Sequence, residues 1–253
     1  MFQEEFHAVA SAAKSKSRFL GGNPLGYFVA SMLAGVYVGF GILLIFTIGG
    51  ALEGAAGTKV VMGLSFGIAL SLVIIAGAEL FTGNVFVMTA GYLQKNVGMG
   101  ETLKLWLLCW FGNLFGSMLL ALLFWASGFA VGPVGTFIAS GAAAKASLPP
   151  LQLFLRGLLC NILVCLAVWC GFRCKSESAK LIMVFWNLFA FITCGFEHSV
   201  ANMTLLSIAL LQPQGLALSG WLYNLSVVTA GNVAGAILCL AIPYYIIAKE
   251  RKA

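Results

Sequence analysis

Three ionisable side chains stand where a chain this apolar should carry none. Glu79 is the single charge in the run Val60 to Leu93, and Glu197 with His198 interrupts the run Leu181 to Leu211. An ionisable group at mid-membrane depth is costly and needs a reason. An imidazole titrates near neutrality, so His198 suits proton exchange with a permeant. Thr82, close to Glu79, offers a hydroxyl that donates or accepts without carrying charge, either to a permeant or to local backbone. Lys145 falls in a Gly/Ala-rich stretch that reads as a loop, where an isolated ammonium can draw an anion into a vestibule or serve as an ordinary surface lysine. The seven cysteines offer less. No CxxC occurs, and Cys160, Cys165 and Cys170 turn by about 140° per step on a helix, so their thiols face different ways and read as small apolar fillers. No metal or cofactor is expected.

The elements that must position these groups are marked by a repeat. Gly77-Ala78-Glu79 through Asn84 and Gly195-Phe196-Glu197 through Asn202 share the pattern G-x-E-x-x-x-x-N, while Gly112-Asn113 to Gly116 and Gly231-Asn232 to Gly235 share G-N-x-x-G. Glu79 precedes Asn113 by 34 residues and Glu197 precedes Asn232 by 35. Two motifs in one order at one spacing indicate duplication. The runs 60–93 and 181–211 are too long for one straight crossing of a ~30 Å hydrocarbon layer at 1.5 Å per residue. Each therefore reads as two half-helices joined by a turn at the glutamate, with Glu79 and Glu197 bracing the break by accepting from free N–H groups of a half-helix N-terminus. Irregular backbone at that depth needs protein or a wet cavity around it.

Composition sets the surroundings. Only 9% of the 253 residues are charged and mean hydropathy is +1.00, against about 25% charge in globular domains, so the solvent is lipid. The apolar runs predict six spans, about Leu25–Gly50, Val60–Leu93, Leu105–Val131, Leu151–Phe172, Leu181–Leu211 and Gly220–Ala248. The expected fold is all-α, a polytopic inverted 3+3 repeat with two broken helices, since three spans per half force opposite insertion. Its organisation is one channel domain over 1–253: an N-terminal segment 1–22, halves about 23–132 and 151–248, and a tail 249–253. The net charge of +6 is scattered in twos and threes, which reads as topology rather than nucleic-acid binding. Eleven Lys and Arg, among them Lys14, Lys16, Arg18, Arg251 and Lys252, fall on one side and three (Lys59, Lys145, Arg156) on the other. That predicts both termini in the cytoplasm. The segment 1–18 lacks a signal peptide's apolar core; Phe2, Phe6, Val9 and Ala13 recur at helical spacing, as in an amphipathic surface helix.

Taken together, Asn23-Pro24-Leu25-Gly26, Glu79-Leu80-Phe81-Thr82-Gly83, Ala144-Lys145 and Gly195-Phe196-Glu197-His198-Ser199-Val200-Ala201-Asn202-Met203-Thr204 resemble the formate/nitrite transporter family, most nearly its nitrite-channel branch. The resemblance covers nearly the whole chain. It implies an aquaporin-like protomer in a homopentamer, each protomer with its own pore for a small monovalent anion, nitrite foremost, in the cytoplasmic membrane and in contact with lipid. It further implies apolar constrictions at Phe66, Leu70, Leu80, Phe81 and Phe191 on either side of His198, Thr82 in the break, Lys145 in the vestibule, and Asn161 and Asn202 near the histidine. Arg156 departs from the family pattern. Formate or hydrosulfide is the alternative permeant. A membrane thiol or metal enzyme is opposed by the lack of CxxC, of Asp and of a second membrane histidine, and an aquaporin proper by the lack of Asn-Pro-Ala at the breaks.

Overall fold

The computed structural model describes residues 2–213 and 215–249, so Arg251 and Lys252 of the expected tail lie outside it. Every described element is helical. Asn23 starts α2 (Pro24–Ala51) by accepting from Gly26 N–H at 2.9 Å, with Pro24 in the first turn where its missing N–H costs nothing. The next pair is α3 (Thr58–Gly77) and α4 (Phe81–Leu93), followed by α5 (Met99–Ala126). Glu101 closes the start of α5 by accepting from Gly98 N–H at 2.7 Å. That cap places the span six residues earlier than hydropathy alone suggests, because the charges of Glu101 and Lys104 belong to its first turns.

The second half repeats the series as α7 (Pro150–Arg173), the pair α8 (Glu177–Cys194) and α9 (Ser199–Leu211), and α10 (Leu218–Ala248). Each half is preceded by a further helix, α1 (Gln3–Gly22) and α6 (Gly132–Ala146). The repeat is thus five helices against five and reaches beyond the expected halves. The stretch around Lys145 is helix, not loop: Pro133 sits in its first turn, and its alanines favour helix more than its glycines oppose it. In α1 the apolar face Phe6, Val9, Ala10, Ala13 is buried against protein, with Ala13 on Gly91 of α4, rather than in lipid.

The core is made by the two short helices. Phe81 to Gly91 of α4 and Ser199 to Ala209 of α9 are buried throughout, and 13 residues reach only about 20 Å, short of a crossing. Around them α2 packs on α5 and α7 on α10, at separations that glycine permits: Gly116 meets the backbone of Met32, and Gly235 that of Leu158. Outward-facing residues such as Leu107, Phe111, Leu159 and Trp186 are exposed on the single chain, an apolar exterior that suits a membrane.

Candidate functional site

Both helix breaks are built alike. Gly77 and Gly195 end α3 and α8 at φ of +81° and +74°, a left-handed backbone that glycine adopts without steric penalty. At the first break Asn113 Oδ1 accepts from Phe81 N–H at 2.9 Å while its Nδ2 donates to the carbonyls of Ser31 and Glu79 at 2.7 and 2.9 Å. At the second, Asn232 Oδ1 accepts from Ser199 N–H at 2.9 Å and its Nδ2 donates to the carbonyls of Gly157 and Glu197 at 2.8 and 3.0 Å. Backbone N–H groups of the two glutamates donate to the carbonyls of Ala30 and Arg156. The N–H groups of Phe81, Ser199 and the two glutamates, and the carbonyls of Glu79 and Glu197, therefore find partners inside the protein.

Between the breaks lies a chamber of about 10 Å³, room for roughly one water. Val38, Phe66, Leu70, Leu80, Leu188 and Phe191 are among its walls, with His198 the polar group in the lining. The imidazole lies nearly parallel to the Phe191 ring, centroids 5.9 Å apart, and Phe191 meets Phe66 edge-on at 5.5 Å. His198 Nδ1 accepts from Ala201 N–H at 3.1 Å, capping α9. A backbone N–H can only donate, so Nδ1 carries the lone pair and the ring in this state is neutral with its hydrogen on Nε2. That hydrogen points at Thr82 Oγ1, 3.0 Å away across the two breaks. Asn161 Nδ2 donates to the carbonyls of Thr82 and Asn232, while its buried Oδ1 has no partner among the described residues.

A carboxylate–ammonium pair flanks each break. Lys145 Nζ donates to both oxygens of Glu197 at 2.8 Å, and Lys16 Nζ donates to both oxygens of Glu79 at 2.7 and 2.6 Å. Asn84 and Asn202, the matched asparagines of the repeat, donate to the same carboxylates at 2.8 and 2.7 Å. On the Glu79 side the pair faces a cavity of about 460 Å³ that runs inward to Leu70 and Leu80.

The profile described as Formate/nitrite transporter matches residues 3–246. This chain belongs to the formate/nitrite transporter family. It is 42% identical to the nitrite transporter NirC of Escherichia coli (strain K12) over 248 residues, 97% of this chain and 92% of that one. Among solved structures it matches an FNT family ion channel at TM-score 0.93 and 40% identity, covering 98% of this chain and all of the other. A pentameric formate channel with formate bound matches at TM-score 0.78 and 28% identity, over 88% and 96% of the two chains.

In this formate/nitrite transporter most of the expected residues converge. His198, Thr82, Phe66, Leu70, Leu80 and Phe191 meet at the chamber or its edge, and Asn161 touches Thr82. Asn202 lies one turn beyond His198, its backbone N–H donating to the His198 carbonyl at 2.9 Å and its side-chain amide donating to Glu197 and Asn224. Two expectations need correction. Phe81 is buried but lines a groove with Trp106, Trp110 and Thr229 instead of the chamber, because Leu80 is the extended residue before α4 and Phe81 its first helical one, so the two side chains leave the backbone in different directions. Glu79 and Glu197 do not brace the half-helices through backbone N–H groups: among the described residues their carboxylates accept from Lys, Asn and Tyr side chains, and the N–H groups of Phe81, Ser199 and Ala201 go to Asn113, Asn232 and His198. Lys16 was missed, since a basic N-terminal helix reads as a topology signal. The repeat itself carried the clue, for a membrane-depth glutamate with a lysine partner in one half asks for a lysine in the other.

Proposed function

We propose that this chain conducts nitrite through a pore within each protomer of a homopentamer, as one channel domain in the cytoplasmic membrane with both termini inside. The observation that carries the reading is the single-water chamber with apolar walls, set between Lys16 and Lys145 and holding only the imidazole as a polar lining group. A bare anion loses its hydration there without replacement, whereas its neutral conjugate acid does not. Lys145 on one face and Lys16 on the other concentrate the anion; Phe66, Leu70, Leu80 and Phe191 exclude its charged form. Identity to a nitrite transporter supports nitrite as the permeant, and the pentameric formate channel supports both the assembly and formate as a competing permeant.

The hydrogen bonds of His198 support proton exchange there. While Ala201 N–H holds Nδ1 the ring cannot take a second proton. When that bond opens, Nδ1 takes up a proton and the Nε2 hydrogen passes through the Thr82 hydroxyl to nitrite, which moves on as nitrous acid. His198→Asn should abolish proton-coupled nitrite uptake in proteoliposomes and leave the oligomer intact by size; coupling equal to wild type would refute the role. Flux of nitrite, formate and hydrosulfide measured side by side across a pH series decides the permeant.

A further inference from the structure

The two ion pairs are copies of one another, yet their remaining partners differ. Glu197 Oε2 accepts from Asn202 in addition to Lys145. Glu79 Oε2 accepts from Asn84 and also from the hydroxyl of Tyr27 at 3.2 Å, and Asn84 Nδ2 lies 3.0 Å from that same hydroxyl. Tyr27 is fully buried in the first turn of α2, its ring edge-on to Phe19 of the helix that carries Lys16. In the other half the carbonyl matched to Ala30 belongs to Arg156. Three residues earlier, where the first half has Tyr27, stands Leu153, buried and without a hydroxyl. There the third group is Asn224, which takes Asn202 on its Oδ1 and donates to the backbone carbonyl of Lys145 at 3.0 Å. One pair is thus anchored at its carboxylate, the other beneath its lysine.

We propose that Tyr27 is a positioning residue that makes Lys16 the releasable cation of the pore: its hydroxyl and the Asn84 amide hold Glu79 while the ammonium turns to an anion in the adjoining cavity, whereas Lys145 stays with Glu197. This rests on the anion-channel reading above. Among the described residues, an ammonium that leaves Glu79 leaves a carboxylate with two neutral donors, and one that leaves Glu197 leaves a carboxylate with one. A hydrogen bond to a charged group is worth enough for about a tenfold difference in release. The pore therefore has unequal mouths although its halves are duplicates.

The test uses the full-length protein. In right-side-out and inside-out vesicles, Tyr27→Phe should raise the KM for nitrite presented at the Lys16 face by about tenfold, with Vmax and the KM at the Lys145 face changed less than about twofold. A general packing defect would lower Vmax from both faces. A second measurement needs no variant. Both lysine side chains are 24% exposed, so their unequal acetylation by a water-soluble amine reagent on the detergent-solubilised oligomer reports release rather than access. Lys16 should label about tenfold faster than Lys145. Equal labelling, or a Tyr27→Phe effect of the same size at both faces, overturns the proposal while the channel reading stands. Wild-type vesicles that carry no nitrite above protein-free controls overturn both.

Discussion

Asn232→Ala isolates the device that holds the second break together. The side chain is fully buried and makes three hydrogen bonds, to Ser199 N–H and to the carbonyls of Gly157 and Glu197. Truncation strands one donor and leaves two carbonyls short, where each stranded buried group costs about 1–3 kcal/mol. Polar contacts in membrane proteins are nonetheless worth only ~0.6 kcal/mol on average, because alternative partners are found. In this break Ser199 N–H opens a half-helix and has no earlier helical carbonyl to turn to. We therefore expect a loss of about 2–4 kcal/mol. Asn187→Ala is the matched control, since that amide only returns to the Met183 carbonyl of its own helix and should cost under about 1 kcal/mol. Thermal unfolding of the detergent-solubilised oligomer, followed by loss of the assembled peak, measures both. A Tm for Asn232→Ala no lower than that of Asn187→Ala would falsify the capping role of Asn232. Asn113→Ala should behave alike, and the double variant should be additive within about 0.5 kcal/mol because the two staples share no partner.

Two further outcomes follow from the same region. Gly195→Ala should lower stability by about 1–2 kcal/mol through its left-handed backbone alone, because a methyl there meets no neighbour; a Tm unchanged within error counts against the backbone argument. Phe191→Ala removes a wall of the chamber and should raise nitrite flux without proton movement by about tenfold, one factor of ten for each ~1.4 kcal/mol taken off the desolvation barrier; pH-dye traces that stay coupled would count against the exclusion role.

The breaks were legible because they repeat. G-x-E-x-x-x-x-N and G-N-x-x-G mark residues whose partners are backbone groups at fixed positions, and such constraints leave the same letters in both halves. Even so, the pattern could not say which polar group takes which partner: the glutamates looked like caps, and the asparagines do the capping. Lys16 and Tyr27 were hidden for opposite reasons. The lysine stands among other cations on an amphipathic helix, and the tyrosine sits in an apolar span where an aromatic ring is unremarked. Lys145 stands out in the sequence for its isolation, yet it is paired and helical, since alanine and Pro133 overrule the loop that the glycines of 132–146 suggest. Phe81 turns from the chamber although Leu80 lines it, for a family motif names neighbours in sequence without telling which way each faces.

The contact between Thr82 and His198 joins residues 116 positions apart, one at the start of each short helix. A ribosome feeding this chain into a bilayer releases α4 before the Asn113 that satisfies its first N–H, and α9 before Asn232. Neither short helix is long enough to remain as an ordinary crossing while it waits. Each half must therefore close its own break after its last helix is made, and the imidazole meets the hydroxyl only when both closures are complete. During synthesis no earlier state has the finished pore.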